Sequence, residues 1–302
     1  MAVRQPQAAL WGFYPIDRSS LMRELERCFT DSRLGPGSLP KRGAKAKIKA
    51  VIGGVAPHAG YAFSGPCAAW LYKEIGEAVE HVDTVVIMGS NHTGYGGIVT
   101  TTSIYSRWAT PLGEVEVDTE FIAKLKEFYP NLSEDQLAHA REHSVEVQLP
   151  FLQYVLKNGF KLVPIVVKDI SYVEAHEVAQ AILKTAKALN REVLVIASSD
   201  FTHHGPAYGY VLFRENIASR VRDLDLEFIK KIVELDTQGF LKLIRRYDAT
   251  VCGYGAIAIA MEFAKLLNGS AKLLRYYNSA DVTGEEDMVV GYASIEFSKE
   301  LT

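Results

Sequence analysis

The stretch IKAVIGGVAPHAGYAFSG, residues 48–65, decides the architecture. Its first nine residues, IKAVIGGVA (48–56), are small or β-branched and apolar apart from Lys49, without the strict alternation of a half-exposed strand. Such a run reads as a strand buried on both faces. His58 follows at once in APHAGY, and a helical pattern spans Pro66 to Val79, with Ser64 as a possible cap. An apolar strand, a short polar turn and a helix make up the repeating unit of an α/β fold.

The same alternation continues on either side. Upstream, a helix over Ser19 to Phe29 is joined to the first strand by SRLGPGSLPKRGAKAK (32–47), an exposed loop rather than a domain boundary, because too little chain precedes it to fold alone. Downstream, TVVIMG (84–89), FKLVPIVV (160–167) and EVLVIASS (192–199) read as strands. GIVTTTSIY (97–105) and GEVEVD (113–118) read as short strands about a turn. Asp118 and Ser171 can cap helices through Phe128 and Leu189, and Ser144 to Lys157 is helical with a start blurred by Pro150. Helical patterns fill Asn216 to Leu267, broken near Asp236 and over Asp248 to Gly253. LLRYYN (273–278) and MVVGYASIEF (288–297) close the chain as strands that are not βαβ crossovers. The expectation is α/β: a mixed, largely parallel central sheet covered by helices on both faces, in one domain over residues 1–302.

Composition narrows the function. With 302 residues, 48% hydrophobic, 23% charged and a formal net charge of -3, there is no electrostatic case for nucleic acid or an anionic membrane as partner. The N-terminal MAVRQPQAALWGFYPIDRSS is broken by Pro15, Asp17 and Arg18 and is not a signal peptide. No apolar run approaches the roughly 20 residues a bilayer needs, so a cytoplasmic location is expected. Cys28 and Cys67 sit in amphipathic helical patterns and read as core residues, and three scattered cysteines make no disulfide framework.

The histidines carry the chemistry. His58 follows the 48–56 strand, His92 follows the 84–89 strand in MGSNH, and Asp200 and His203 follow the 192–199 strand in SSDFTHH. Three apolar strands each release a titratable group at the carboxyl end, where open α/β sheets bind ligands. Parallel strands would gather the groups on one rim. Cys252, in ATVCGYGAIAIAM, stands at a helix entry, which favours a thiolate, although a small residue at a tight turn accounts for it equally well. Two imidazoles and a thiolate suit iron, copper or zinc better than magnesium or calcium, and three protein ligands leave positions open. His203, supported by Asp200, could then move protons. A competing motif is HAREH, His139 to His143, which fits the H-x-x-E-H pattern of some zinc peptidases. His143 could otherwise line the pocket, with Glu142 and Glu146 nearby. His81 and His176 have polar, solvated settings, and His204 is ambiguous.

These residues together resemble the Memo family, named for a mediator of cell motility in animals and present also in microbes. The resemblance runs over nearly the whole chain: GFYP (12–15), APHAGYAFSG (56–65), GSNH (89–92), EHSVEVQLP (142–150), PIVV (164–167), SSDFTHHG (198–205) and VCG (251–253). It implies the fold of class III extradiol non-haem iron dioxygenases, which hold iron through two histidines and a carboxylate. His58 and His92 match the family's metal histidines, Cys252 matches the family cysteine that stands where those enzymes have the carboxylate, and Asp200 and His203 match its pocket residues. The resemblance implies iron or copper binding and copper-dependent redox chemistry. The animal members are also linked to phosphotyrosine segments of a receptor. Thr93 and His204 depart from the animal pattern, which has histidine and tryptophan there. Thiolate in place of carboxylate changes the softness of the site, so ring cleavage does not carry over from fold alone.

Three functions follow. The first is a metal-dependent redox or dioxygenase-like protein acting on a small molecule through His58, His92 and Cys252, with His203, Asp200 and His143 around the reacting atoms. The second is a binding module that captures a phosphorylated or other peptide in the same pocket; it lacks an arginine cluster, since Arg107, Arg245 and Arg246 are scattered. The third is the HAREH peptidase.

Overall fold

Four strands form the middle of the molecule: Ala50–Ala56, Val193–Ser198, Thr84–Ser90 and Lys161–Val167, hydrogen-bonded in that spatial order and all parallel. They come from a computed structural model that describes residues 2–46 and 49–301. Lys47, which ends the expected loop, and Ile48, which opens the expected first strand, lie outside the described residues. The apolar runs behave as buried strands should: Val85, Val86, Ile87, Val163, Ile165 and Ile196 are fully buried. Each such side chain contributes about 1.5–3 kcal/mol on leaving water.

The sheet is completed by antiparallel partners, so it is mixed. Val289–Lys299 pairs antiparallel with Ala50–Ala56 and carries Ser270–Asn278 on its other side, as well as the two-residue strand His203–His204. At the opposite edge Val99–Thr101 runs antiparallel to Lys161–Val167, followed by Ser133–Glu134. A separate three-stranded sheet joins Ala2–Arg4, Tyr105–Thr110 and Gly113–Glu116.

Helices flank the sheet in two groups. Tyr61–Ala78 packs on the Ala50–Ala56 and Val289–Lys299 strands with Arg18–Thr30 and Leu149–Val155 beside it, while Tyr254–Leu266 packs on Val193–Ser198 with Tyr172–Leu189 and Thr237–Tyr247. The caps at Asp118 and Ser171 form as expected, the latter as a reciprocal capping box with Glu174. The helix after the first strand starts five residues before the expected Pro66, at Tyr61. Ser64 does not cap it: its hydroxyl donates to Ala59 O, and Tyr61 is drawn in by bonding Val147 O at 2.5 Å. Only Pro57 to Gly60 therefore separate strand from helix, which pins His58 to the rim. The stretch from Ser144 becomes helical only at Glu146, as a 3-10 turn that passes into Leu149–Val155. No helix among the described residues is long and apolar enough to cross a membrane.

Candidate metal centre

Because the central strands are parallel, their carboxyl ends share one rim, and the residues that follow them converge. The His58 and His92 ring centroids are 5.4 Å apart, and His143 lies 5.3 Å from the first and 4.8 Å from the second. The ligand nitrogens of these three histidines lie within 4.8 Å of one another, and the group could hold a metal ion. Cys252 arrives from the turn that leads into the Tyr254–Leu266 helix. Its Sγ is 3.1 Å from His58 Nε2. Two glycines permit these approaches. A Cβ on Gly89 would stand 2.1 Å from Ser144 Oγ, and one on Gly253 would stand 2.5 Å from Ser198 O. A side chain at either position would push the His143 segment or the Cys252 turn off the strand ends.

Each imidazole is oriented by its other nitrogen. The Ser198 hydroxyl donates its single proton to Ser144 O at 2.6 Å and accepts from Gln148 Nε2 at 2.8 Å. Toward His58 Nδ1, at 3.0 Å, Ser198 can therefore only accept, so Nδ1 is a fixed donor and Nε2 is the nitrogen that faces Cys252. Glu142, fully buried, accepts from His92 Nδ1 at 2.9 Å and from His92 N at 2.8 Å, which leaves Nε2 as the His92 nitrogen available to the cluster. His203 Nδ1 faces two carbonyls, Phe201 O and Thr250 O, both at 3.0 Å, and so keeps its proton there. A metal-binding histidine commonly donates its far N–H to a carboxylate, carbonyl or hydroxyl in this way.

The electrostatics favour a cation. Burial alone would raise the Cys252 thiol, but the His58 and His92 rings outweigh it and hold the thiol well below its ordinary value. Burial would lower His92, yet its bonds to Cys252 and Glu142 raise it to about 10. Glu142 is raised by burial but brought down to about 2 by its His92 bond. The cluster thus holds a thiolate and a carboxylate, balanced in the free protein by protons on imidazoles. An ion could take the place of those protons, and two imidazoles with a thiolate suit a borderline-soft metal. His143 differs: burial, helped by His58, lowers it to about 3 and keeps it neutral.

Asp200 and His203 also lie at the rim, but not in the expected relation. The Asp200 carboxylate does not set the His203 tautomer, since backbone carbonyls do. Asp200 Oδ1 instead accepts from His58 N at 2.8 Å and Ala59 N at 3.3 Å. Its Oδ2 lies 4.0 Å from both His58 Nε2 and His203 Nε2. A cleft of about 600 Å³ opens over this rim, with Phe13, Phe63, Tyr208 and Tyr292 among its lining.

Other expectations resolve elsewhere. HAREH does not present two histidines on one helix face. The helix ends at Ala140, and His139, fully buried, uses Nε2 on Thr100 O beneath the Trp108 ring. Glu146 is not near the cleft: it pairs with Arg4 and accepts from Ala8 N and Tyr14 OH. His176 is not simply solvated, because its Nδ1 bonds the buried Glu262 at 2.8 Å, whereas His81 is exposed. His204 is buried and accepts from Leu212 N and Phe213 N. Arg107 pairs with Glu114 at the surface. Cys28 and Cys67 are core residues. The orienting residues Ser198 and Gln148 were not foreseen, although two serines ending an otherwise apolar strand were a readable sign of Ser198.

Comparison with known proteins agrees in extent with this arrangement. Residues 4–296 match the family model described as Memo-like protein. A MEMO1 family protein of Methanopyrus kandleri is 41% identical over 288 residues, covering 95% of this chain and 96% of the relative. One from Thermococcus onnurineus is 41% identical, with 98% and 100% covered, and one from Methanosarcina mazei is 39% identical, with 98% and 99% covered.

Proposed function

The chain belongs to the Memo family, and from that premise we propose a metal-dependent redox protein with a dioxygenase-like site, in which His58, His92 and Cys252 hold iron or copper. The observation that carries this reading is that His58 and His92 both commit Nδ1 elsewhere and leave Nε2 for a ligand, with a thiolate 3.1 Å from the first of those atoms. Bound iron or copper would supply Lewis acidity and one-electron chemistry, and zinc would fit the same donors without the redox part. His143 is the alternative third donor, since it completes the three-histidine group.

The chain's own groups do the remaining work. His203 takes or gives a proton at Nε2, since Nδ1 is committed to Phe201 O and Thr250 O. Asp200 Oδ2 lies 4.0 Å from His203 Nε2, on the cleft side of the ring. The neutral His143, its ring tilted against Phe13 with centroids 4.4 Å apart, offers a hydrogen-bond acceptor to a small-molecule substrate in the cleft. A reducing cytoplasm would keep the Cys252 thiolate available. The phosphopeptide module has less support, because no lysine or arginine is among the described residues lining the cleft.

Metal titration with elemental analysis tests the assignment. The wild-type chain is expected to take up about one iron or copper per chain. Cys252→Ser should weaken that uptake by about a hundredfold or more, while His143→Ala should leave it within a few-fold, orientation effects alone reaching about 10–100-fold. The reverse ranking would replace Cys252 by His143 as the third ligand. Unchanged uptake in both variants would end the proposal.

A further inference from the structure

The walls and mouth of the cleft carry information about its ligand that the metal donors do not. The walls are aromatic and unusually open: Phe63 is 41% and Tyr208 42% exposed, with Met288 at the mouth 50% exposed. Tyr208 stands edge-on to His203 with centroids 5.2 Å apart, and Phe13 lies 4.4 Å from His143. A flat ring entering the cleft would therefore meet aromatic side chains next to the imidazoles. Such side chains reward an aryl group and also attract a cation.

Apart from the imidazoles of the candidate metal cluster, the charged side chains lining the cleft have one sign. Asp200 is only 3% exposed, and its Oδ2 has no hydrogen-bond partner among the described residues: the nearest groups are the two imidazole nitrogens at 4.0 Å. It is thus a buried carboxylate with one oxygen turned to the cavity. Glu285 and Asp287 line the mouth, in a segment held down by Glu286, whose Oε2 caps Ile217 N at 3.0 Å. The described lining residues include no lysine or arginine. Away from those imidazoles a carboxylate or phosphate on the ligand would face carboxylates and no lysine or arginine, whereas an ammonium would gain from Asp200, Glu285 and Asp287.

We propose that the cleft takes an aryl ligand bearing a protonated amine, its ring held among Phe13, Phe63, Tyr208 and Tyr292 and its ammonium drawn by Asp200, Glu285 and Asp287. The inference builds on the metal-centre reading, which puts the reacting end of the ligand at His58 and His92. The volume of about 600 Å³ accommodates one such molecule.

The test uses the full metal-free chain and three aryl probes that differ only in charge: 2-phenylethylamine, 2-phenylethanol and phenylacetate. Calorimetry near neutral pH should rank them amine, alcohol, carboxylate, with about tenfold in affinity between the extremes, as a few weak ion pairs would give. Raising salt from about 50 to about 500 mM should narrow that gap. Glu285→Gln with Asp287→Asn, both surface side chains, should compress the gap several-fold and leave 2-phenylethanol unchanged. Equal affinities, a preference for phenylacetate or phenyl phosphate, or no binding of any probe would overturn the proposal. Catechol added to the iron-loaded chain forms a separate arm. Absence of a ligand-to-metal absorption band there, with the amine preference intact, would count against the metal centre alone.

Discussion

His139 and His143 stand four residues apart on one short segment, and the regions they enter treat an imidazole in opposite ways. His139 enters a closed core, where Arg4 lies 4.1 Å over the Trp108 ring and its Nε donates to His139 O at 2.9 Å. His143 enters the open rim beside His58 and His92. Between them Glu142 belongs to both regions. Its backbone O accepts from Arg4 Nη2 at 2.6 Å, and its carboxylate orients His92. The role of each histidine follows from what its nitrogens are bonded to, not from the spacing that places them in one motif.

The strongest way to break the comparison is to remove the ion that holds the closed side together. Arg4 is 2% exposed and pairs with the fully buried Glu146 at 2.5 Å. Arg4→Met strands that carboxylate, and losing one partner of a buried pair costs about 3–5 kcal/mol. Urea unfolding of the metal-free protein should show a loss of that order. A change below about 1 kcal/mol would mean that the N-terminal strand does not brace the segment.

Acid gives the next largest effect, with a definite sign. Burial, helped by Arg4, lowers His139 from the usual 6.5 to about 4. Above the higher value both folded and unfolded chains carry it neutral, and stability does not depend on it. Below, the unfolded chain takes up the proton first, so stability falls as pH drops from about 6.5 to about 4 and levels off beneath. The shift corresponds to about 3 kcal/mol. Unfolding midpoints measured across that window should fall more steeply for wild type than for His139→Gln, and parallel curves would refute a buried neutral imidazole.

Which parts of this were legible in the sequence follows from the range of the forces involved. The central strands, their carboxyl-end histidines and most helix ends are written locally, as apolar runs and as caps such as Asp118 and Ser171. The convergence of His58 and His92 needed only that those strands be parallel. Cys252 was ambiguous because its reading depends on Gly253 packing against Ser198 O, more than 50 residues back along the chain, which no local pattern encodes. HAREH misled for a related reason. Its spacing fits a helix, but the helix stops at Ala140, where Arg4 of a distant strand binds the backbone at His139 and Glu142. Glu146 went the same way, since its partners Arg4 and Tyr14 lie more than 130 residues back along the chain.

The smallest expected effect sharpens the comparison most, because it sets two ways of orienting a ligand against each other. His92 donates to a buried carboxylate, and His58 donates to a neutral hydroxyl whose own proton is committed to Ser144 O. A charge-assisted bond is about twice as strong as a neutral one. Glu142→Gln should therefore weaken iron or copper binding by about 10–100-fold, and Ser198→Ala by only a few-fold. Gln in place of Glu142 keeps the volume and one acceptor but sets its NH2 against an N–H donor of His92 or Ser144, so the unfolding curve is what separates lost charge from a displaced segment. Ala in place of Ser198 leaves the His58 Nδ1 proton with no acceptor and frees the ring to turn. Metal titrations of both variants, read beside their unfolding curves, decide the matter. Equal losses would mean that the metal reads ring orientation alone, and a larger loss at Ser198 would make His58, the more buried of the two rings, the ligand whose placement controls the site.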